Sequence, residues 1–154
     1  MNKDQPASKV LFRVPQEDGT ADVETLWATE VGEDLYRIDN TPFFAYSVSW
    51  LDVVYAPFDE DEKQATYKEV IKKSGHRTIR IIFDGPVTEE DDNYGKLQEI
   101  IELGCSYEGA YGTLVSIDIP PNIDLLMIRN YLIEKKFVFE HADPTYEEIF
   151  GDDK

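Results

Sequence analysis

The periodicity of apolar residues in the second half of the chain constrains the fold more than any other feature. Stretches with alternating apolar residues, as in strands, flank two stretches in which apolar residues recur every three or four positions, as in helices. The order is strand, helix, strand, strand, helix, strand, over residues 78–83, 88–104, 105–108, 113–119, 123–135 and 137–140. This order predicts an α+β fold with a ferredoxin-like βαββαβ half, in which two helices cover one face of the sheet.

The first half of the chain is predicted to be rich in β-strands. Short runs of strand-forming residues, separated by turn residues, occupy 9–14, 23–31, 35–38, 43–49 and 51–56. This pattern is typical of a small, strongly bent sheet or partial barrel. The stretch 64–73 fits either a helix or a further strand.

The pair Ser74-Gly75 is the best candidate for a lobe boundary. We therefore expect an N-terminal β-rich lobe over 1–75 and a ferredoxin-like lobe over 76–154, with an acidic C-terminal tail that can form a short helix. The two lobes could also form one compact unit, in which the first covers the open sheet face of the second.

The charge of the chain limits its partners. There are 15 Lys and Arg against 32 Asp and Glu, a formal net charge of -17. Nucleic acids and anionic membrane surfaces carry negative charge themselves, so both are unfavourable partners. The same field would attract a basic protein and speed its encounter. An equally open interpretation is that the charge serves solubility alone.

The cysteine count and the apolar runs indicate a compartment. Cys105 is the one cysteine, so the chain cannot form an internal disulfide. No signal-peptide pattern occurs at the start, and no apolar run has the roughly 20 residues of a membrane helix. We expect a cytoplasmic protein.

Residues that usually bind metals or carry catalysis are few and scattered. His76 and His141 do not lie in a metal-binding spacing, and no phosphate-binding loop or nucleophile elbow occurs. Cys105 is expected to be a buried structural thiol, with its pKa raised by Glu102 and Glu108. The sequence therefore predicts no catalytic residue, no cofactor and no metal.

Two dense acidic runs are the candidate contacts for a basic partner. Neither run has the ligand spacing of a calcium loop. A solvated loop is the default interpretation of each run, and a docking patch is the alternative. The eight residues are Asp59, Glu60, Asp61, Glu62, Glu89, Glu90, Asp91 and Asp92.

The aromatic residues of the first half are numerous but are not interleaved with Lys and Arg, as a single-stranded nucleic-acid platform requires. We expect them to pack in the core and the hairpins, with some exposed as anchors for a protein partner. They are Trp27, Tyr36, Phe43, Phe44, Tyr46 and Trp50.

Several segments resemble a family of small bacterial proteins described as a domain of unknown function. They are 23–28, 35–46, 49–54, 103–105 and 115–120, and the string 35–46 is the most specific. The family often has Gly where this chain has Leu51, so the turn there is expected to differ. The resemblance implies no catalytic motif, but it implies a relation to immunity proteins, which block bacterial toxins.

Three hypotheses follow. The leading one is an immunity protein that neutralises a basic toxin, such as a nuclease domain, as a monomer in a 1:1 complex. The second is a regulator that docks on a housekeeping enzyme, such as an RNA-processing enzyme. The third is a small enzyme or ligand sensor, which would need a cleft holding His76, or His141 with Asp143.

Overall fold

The computed structural model describes residues 8–85, 92–110 and 113–151. The first half contains seven strands: β1 (Ser8–Pro15), β2 (Ala21–Gly32), β3 (Leu35–Ile38), β4 (Val53–Tyr55), β5 (Phe58–Asp59), β6 (Gln64–Ala65) and β7 (Glu69–Lys72). Five of them form an antiparallel sheet in the order β1-β2-β3-β4-β7, and β5 pairs with β6. The stretch 64–73, which could have been a helix, contains strands instead.

Residues 66–68 form backbone hydrogen bonds to two different strands of this sheet. The amide of Tyr67 donates to the carbonyl of Leu11 on the edge strand β1, and the amide of Lys68 donates to the carbonyl of Tyr55 on β4. Adjacent residues of this segment thus bond to an edge strand and to an inner strand of the same sheet.

The second half contains β8 (Arg77–Ile82), α1 (Asp92–Glu102), β9 (Ser106–Ala110), β10 (Leu114–Ile119), α2 (Leu125–Glu134), β11 (Val138–Asp143) and α3 (Tyr146–Phe150). Its four strands form an antiparallel sheet in the order β11-β8-β10-β9. The fold is therefore of the mixed α+β class, mostly strands in antiparallel sheets, as the sequence predicts. In the described part of the chain, no helix has the length and apolar character needed to cross a membrane.

Each sheet has its own apolar cluster. The first lies on the five-stranded sheet and includes Val10, Phe12, Leu26, Ala28, Ile38 and Val54. The second joins the four-stranded sheet to α1 and α2 and includes Ile79, Ile81, Ile100, Ile117, Ile119, Ile128 and Leu132. Alternation places the polar side chains of β8 and β10 on the other sheet face, where Thr78, Arg80, Ser116 and Asp118 are also buried.

The segment 41–49 covers part of that polar face, and it is not a strand. The prediction of a strand over 43–49 is therefore wrong. The physical reason is that side chains replace a neighbouring strand as hydrogen-bond partners. The carboxylate of Glu24 accepts the amides of 43–45, and Arg80 donates to carbonyls within 42–45.

The turn at Leu51 has the left-handed conformation that favours glycine. Leu51 has φ 70°, although a side chain at positive φ is unfavourable. The Leu51 amide donates to the carbonyl of Ile38, and the Ile38 amide donates to the carbonyl of Asp52. The turn is thus fixed from both sides by the end of β3.

Candidate functional site

The loop 41–49 is held between the two sheets by buried side chains. Glu24, only 7% exposed on β2, accepts the three amides of 43–45 at distances of 2.5 to 3.1 Å. The Ser116 hydroxyl on β10 donates to the carbonyl of Pro42 at 2.7 Å. The loop therefore has a defined backbone without belonging to a sheet, and it can present side chains to solvent from a rigid base.

Arg80 connects this loop to the four-stranded sheet. Its side chain is buried, and Nε donates to Oε1 of Glu140 on the neighbouring strand at 2.9 Å, while Nη1 donates to the carbonyl of Ala45 at 2.9 Å. The guanidinium lies 4.7 Å from the ring centre of Tyr46, whose hydroxyl donates to the other Glu140 oxygen at 2.9 Å. Burial and the hydrogen bond to Glu140 raise the pKa of Tyr46. Both oxygens of Glu140 are thus engaged, and Arg80 compensates its charge.

Tyr46 and Glu140 are shared by the walls of two neighbouring cavities, which we treat as one cleft. Its wide end has a volume of about 650 Å³, and its narrow end has a volume of about 300 Å³. Besides the shared pair, the wide end is lined by Arg129, Phe139, His141, Thr145, Tyr146 and Glu147. The narrow end is lined by Val14, Pro15, Gln16, Glu17, Asp22, Phe43 and Phe44.

The cleft combines exposed carboxylates with exposed aromatic rings. Glu17, Asp22 and Glu147 are exposed, and no ion pair joins them to any cation in the described residues. Tyr46 is 45% exposed and Tyr146 is 40% exposed. Such a surface can bind long cationic side chains, because carboxylates pair with their charge and aromatic faces attract it.

The wide end also contains one guanidinium. Arg129 on α2 donates from Nε to Nε2 of His141 at 3.2 Å, and its guanidinium lies 4.8 Å from the ring centre of Phe150 on α3. Burial and the nearby charge of Arg129 lower the pKa of His141. The imidazole is therefore neutral, and because Nε2 accepts, the proton lies on Nδ1.

The short helix α3 positions two further residues of the wide end. Its capping box joins the hydroxyl of Thr145 to the amide of Glu148 and the carboxylate of Glu148 to the amide of Thr145. Tyr146 and Glu147, in the first turn that this box fixes, line the cleft.

A second polar cluster lies where the loop meets the start of β8. Nζ of Lys73 is 2.6 Å from carboxylate oxygens of both Asp52 and Asp143, and the Ser49 hydroxyl donates to Asp143 at 2.5 Å. Burial lowers the pKa of Lys73, but the hydrogen bonds to the two carboxylates more than offset this, so the pKa lies above its ordinary value. The cluster contains two ion pairs that share Lys73, and the pair with Asp143 joins the two halves of the chain.

His76 lies beside this cluster. Its Nδ1 is 3.0 Å from both carboxylate oxygens of Asp118, and burial raises the pKa of that carboxyl. A cavity of about 310 Å³ is lined by His76 together with Lys73 and Asp143, among others. The two histidines thus line two different cavities, and Asp143 lines the cavity of His76.

The first predicted acidic run is largely engaged in local contacts. The Asp59 side chain accepts the amides of Asp61 and Glu62, which lowers its pKa, and this arrangement stabilises the turn. Glu62 lies 3.2 Å from Arg13, and Glu60 lies 3.7 Å from Lys63. Asp61 is exposed.

The second predicted acidic run is described only in part. Asp92 is exposed at the first position of α1, whereas Glu89, Glu90 and Asp91 lie outside the described residues, as does the predicted helix start at Thr88. None of the described members of either run lines the cleft.

Cys105 is buried, as predicted. Burial, with a smaller effect of Asp118, raises the pKa of its thiol to about 11. Glu102 and Glu108, which were expected to raise this pKa, are not among the causes of the shift. Across residues 8–85, 92–110 and 113–151, no three His, Cys, Asp or Glu side chains are grouped so that they could hold a metal ion.

Sequence reasoning missed Glu17, Asp22, Arg129, Glu140 and Glu147. Arg129 is a polar position of a predicted helix, and Glu147 is one acid in an acidic tail, so neither stands out. A signal did exist for Glu140, because alternation along two strands places opposite charges at 80 and 140 on one face, and these residues are directly paired in the sheet.

Comparisons with known proteins give a fold and a family, and no activity. No curated protein matches the chain. The crystal structure of a hypothetical protein from Neisseria gonorrhoeae is similar, with a TM-score of 0.71 and 22% identity over 90% of this chain and 96% of that chain. At this identity the likeness concerns the fold. The family described as Domain of unknown function (DUF4265) matches residues 24–138. The chain belongs to this family.

Proposed function

We propose that this protein is an acidic protein-binding inhibitor, and that the cleft over Tyr46 and Glu140 receives part of a basic partner protein. One observation carries this proposal: the cleft places the exposed carboxylates of Glu17, Asp22 and Glu147 around the exposed rings of Tyr46 and Tyr146. In this account, the aromatic side chains anchor the partner and the carboxylates orient it.

Contacts with neighbouring residues hold the two aromatic anchors, Tyr46 and Tyr146, in place. Tyr46 lies on the buried guanidinium of Arg80, and its hydroxyl is bonded to Glu140. Tyr146 lies in the capped first turn of α3. A preorganised aromatic side chain loses little conformational entropy on binding, so more of its contact energy remains as affinity.

The charge acts at longer range. At a net charge of -17, the field attracts a cationic protein before contact and accelerates association. Since Arg80 compensates Glu140, the local attraction within the cleft comes from Glu17, Asp22 and Glu147, which form no ion pair with a described residue.

The specific form that we propose is an immunity protein, a cytoplasmic monomer that blocks a bacterial toxin domain in a 1:1 complex. A nuclease toxin needs a basic face to hold phosphate. The carboxylates of the cleft can occupy that face in place of phosphate. The proposal rests on the charge, on the cleft and on the resemblance of the chain to a family in which some members look like immunity proteins.

Affinity capture with matched variants tests the proposal. The cleft variant carries Glu17→Gln, Asp22→Asn and Glu147→Gln. The control variant carries Glu69→Gln, Glu102→Gln and Glu134→Gln, which remove the same charge from residues that do not line the cleft. We expect the wild type and the control variant to recover the same basic protein from the source cell, and the cleft variant to lose it. Equal recovery by both variants would show that the cleft is not the binding site.

A third variant examines the acidic runs that the sequence singled out. Neutralising Asp61 and Asp92 removes the two exposed carboxylates of these runs that no ion pair engages within the described residues. We expect it to bind the partner as the control variant does. A loss of binding would locate the contact on the runs instead.

The regulator hypothesis requires the same kind of binding surface but predicts a different phenotype when the gene is deleted. An immunity gene should be dispensable once its toxin gene is removed, and essential while the toxin is present. A regulator of a housekeeping enzyme should leave a growth phenotype in both backgrounds. Deleting the gene with and without its partner gene therefore separates the two hypotheses.

The cavities beside the histidines favour the third hypothesis, a ligand sensor or small enzyme. His76 is oriented by Asp118 and shares a cavity with Asp143. An imidazole held by a carboxylate is an arrangement that general bases use. If this pair acts on a ligand, His76→Gln should abolish a ligand-dependent increase in melting temperature while leaving partner capture intact.

We also propose the finer fold assignment, a partial barrel followed by a ferredoxin-like half. The strand order β11-β8-β10-β9, with α1 and α2 between strands, supports the second part. The hydrogen bonds of residues 66–68 to β1 and β4 support the first. An experimental structure would test both assignments.

A further inference from the structure

Arg129 is fixed in place, and none of the described residues neutralises its charge. Its Nε donates to His141, and its guanidinium packs on Phe150. In the part of the chain that the structure describes, no carboxylate forms an ion pair with it. The terminal Nη atoms form no hydrogen bond to any described residue.

The acceptor that orients Arg129 is uncharged. His141 is 7% exposed, and it accepts from Arg129 through Nε2. Its Nδ1 is buried without a hydrogen-bond partner among the described residues. A carboxylate in this position would orient the arginine and also cancel its charge. The neutral imidazole only orients it, so the positive charge of Arg129 remains available to the cavity.

The cavity around Arg129 has the size and lining of a ligand site. Its volume of about 650 Å³ lies within the range of small-molecule pockets, roughly 300–1,000 Å³. Rings of Tyr46, Phe139 and Tyr146 line it. Of its two acids, Glu140 is compensated by Arg80, which leaves Glu147.

We propose that the wide end of the cleft is a carboxylate-binding site, in which the free Nη groups of Arg129 bind the carboxylate and the aromatic walls hold an apolar or aromatic body. A planar guanidinium matches a carboxylate through two parallel hydrogen bonds. The carboxylate can belong to a small molecule or to the C-terminus of a polypeptide. This site goes beyond the proposed inhibitor function and does not depend on it.

Nuclear magnetic resonance titration of the full chain tests the site. The small probe is 3-phenylpropionate, with 3-phenylpropanamide as its uncharged counterpart. The peptide probe is a pentapeptide that ends in phenylalanine, with its amidated form as counterpart. We expect the Arg129 Nε–H signal to shift on titration with at least one carboxylate probe. The matching amide should bind at least tenfold more weakly. The probe that binds identifies the source of the carboxylate.

Variants connect the binding to Arg129. Arg129→Gln should weaken binding of the carboxylate probe at least tenfold. Arg129→Lys should retain part of the affinity, because lysine keeps the charge and lacks the planar guanidinium. Arg37→Gln is the control, since Arg37 does not line the cleft. Amide spectra of each variant verify that it is folded. Equal binding of amide and carboxylate, unchanged binding by Arg129→Gln, or no binding of any probe would overturn the proposal.

The cleft variant separates this proposal from the inhibitor function. Removing the charges of Glu17, Asp22 and Glu147 should abolish capture of a basic partner. The same variant should bind the carboxylate probe with unchanged or higher affinity, because the removed charge of Glu147 repels an anion. Loss of the probe in this variant would contradict the site even where partner capture behaves as proposed.

Discussion

Arg80 shows how one residue can organise a site that it does not face. Its buried guanidinium is bonded to Glu140 and to the loop carbonyls of Pro42, Phe44 and Ala45. A surface ion pair contributes at most about 1 kcal/mol. Arg80 is different because its removal leaves several buried acceptors without a donor.

Replacing Arg80 should therefore destabilise the fold strongly. We expect Arg80→Met to lower the free energy of unfolding by about 3 kcal/mol or more, measured by urea denaturation. Arg13→Met is the matched control, because Arg13 forms an exposed ion pair with Glu62 and its loss should change the stability by less than about 1 kcal/mol. Similar small losses for both variants would mean that the loop does not depend on Arg80.

The pKa of His141 is a second prediction at this scale. Burial and Arg129 both lower it, so the imidazole should titrate below its ordinary value of 6.5. Removing the charge in Arg129→Gln should move the midpoint upward, measured by the nuclear magnetic resonance shifts of the ring.

The sign of the associated stability change follows from linkage. The unfolded chain takes up the His141 proton more readily than the folded chain. The stabilising contribution of neutral His141 is thus present above pH 6.5 and is lost as the pH falls toward the lowered pKa. A midpoint that stays unchanged or falls in Arg129→Gln would contradict the geometry of this pair.

Elements differ in how far sequence predicts them. In β8 and β10 the alternation is strong, and the strands form where the pattern places them. The loop 41–49 has equally apolar residues, but the partners of its backbone are Glu24, Arg80 and Ser116, which are distant in sequence. No local pattern reports such partners, so a strand was the wrong expectation there.

The end of α1 gives a prediction at the scale of elements. Gly104 has φ 108°, and an added Cβ would meet Cδ1 of Ile123 at 2.7 Å. Gly104→Ala should combine backbone strain with this clash and lower the stability by about 2 kcal/mol. Gly19 has φ 88°, and no atom lies near an added Cβ. Gly19→Ala should therefore lower the stability through backbone strain alone.

A double variant isolates the clash. Ile123→Val removes the contacting methyl group, so Gly104→Ala should be less destabilising in that background by denaturant titration. If the effects of Gly104→Ala and Ile123→Val simply add, the close approach at this helix end is not what determines the loss.

At the scale of the whole molecule, the class of fold and the sign of the charge could be predicted, and the site could not. The acidic runs were visible because their residues are consecutive. The cleft joins 14–22, 43–46, Arg129 and 139–147, which only the packing of the two sheets brings together. Its contributing residues are individually ordinary.

The overall charge predicts how binding responds to salt. For the partner recovered by affinity capture, the association rate constant should fall about tenfold or more between roughly 20 and 200 mM salt, because the Debye length shortens. The dissociation rate should change less, and stopped-flow measurements give both. An association rate independent of salt would mean that the charge of -17 does not steer the encounter.

Hydrogen–deuterium exchange of the chain, with and without its captured partner, tests the central claim most directly. The account predicts that binding slows exchange in the loop 43–47 and in 138–147, the segments that carry Tyr46, Glu140 and Glu147. Exchange of α1, none of whose residues lines the cleft, should change little. Protection confined to α1, or none in the loop and β11, would contradict the assignment of the cleft as the binding site.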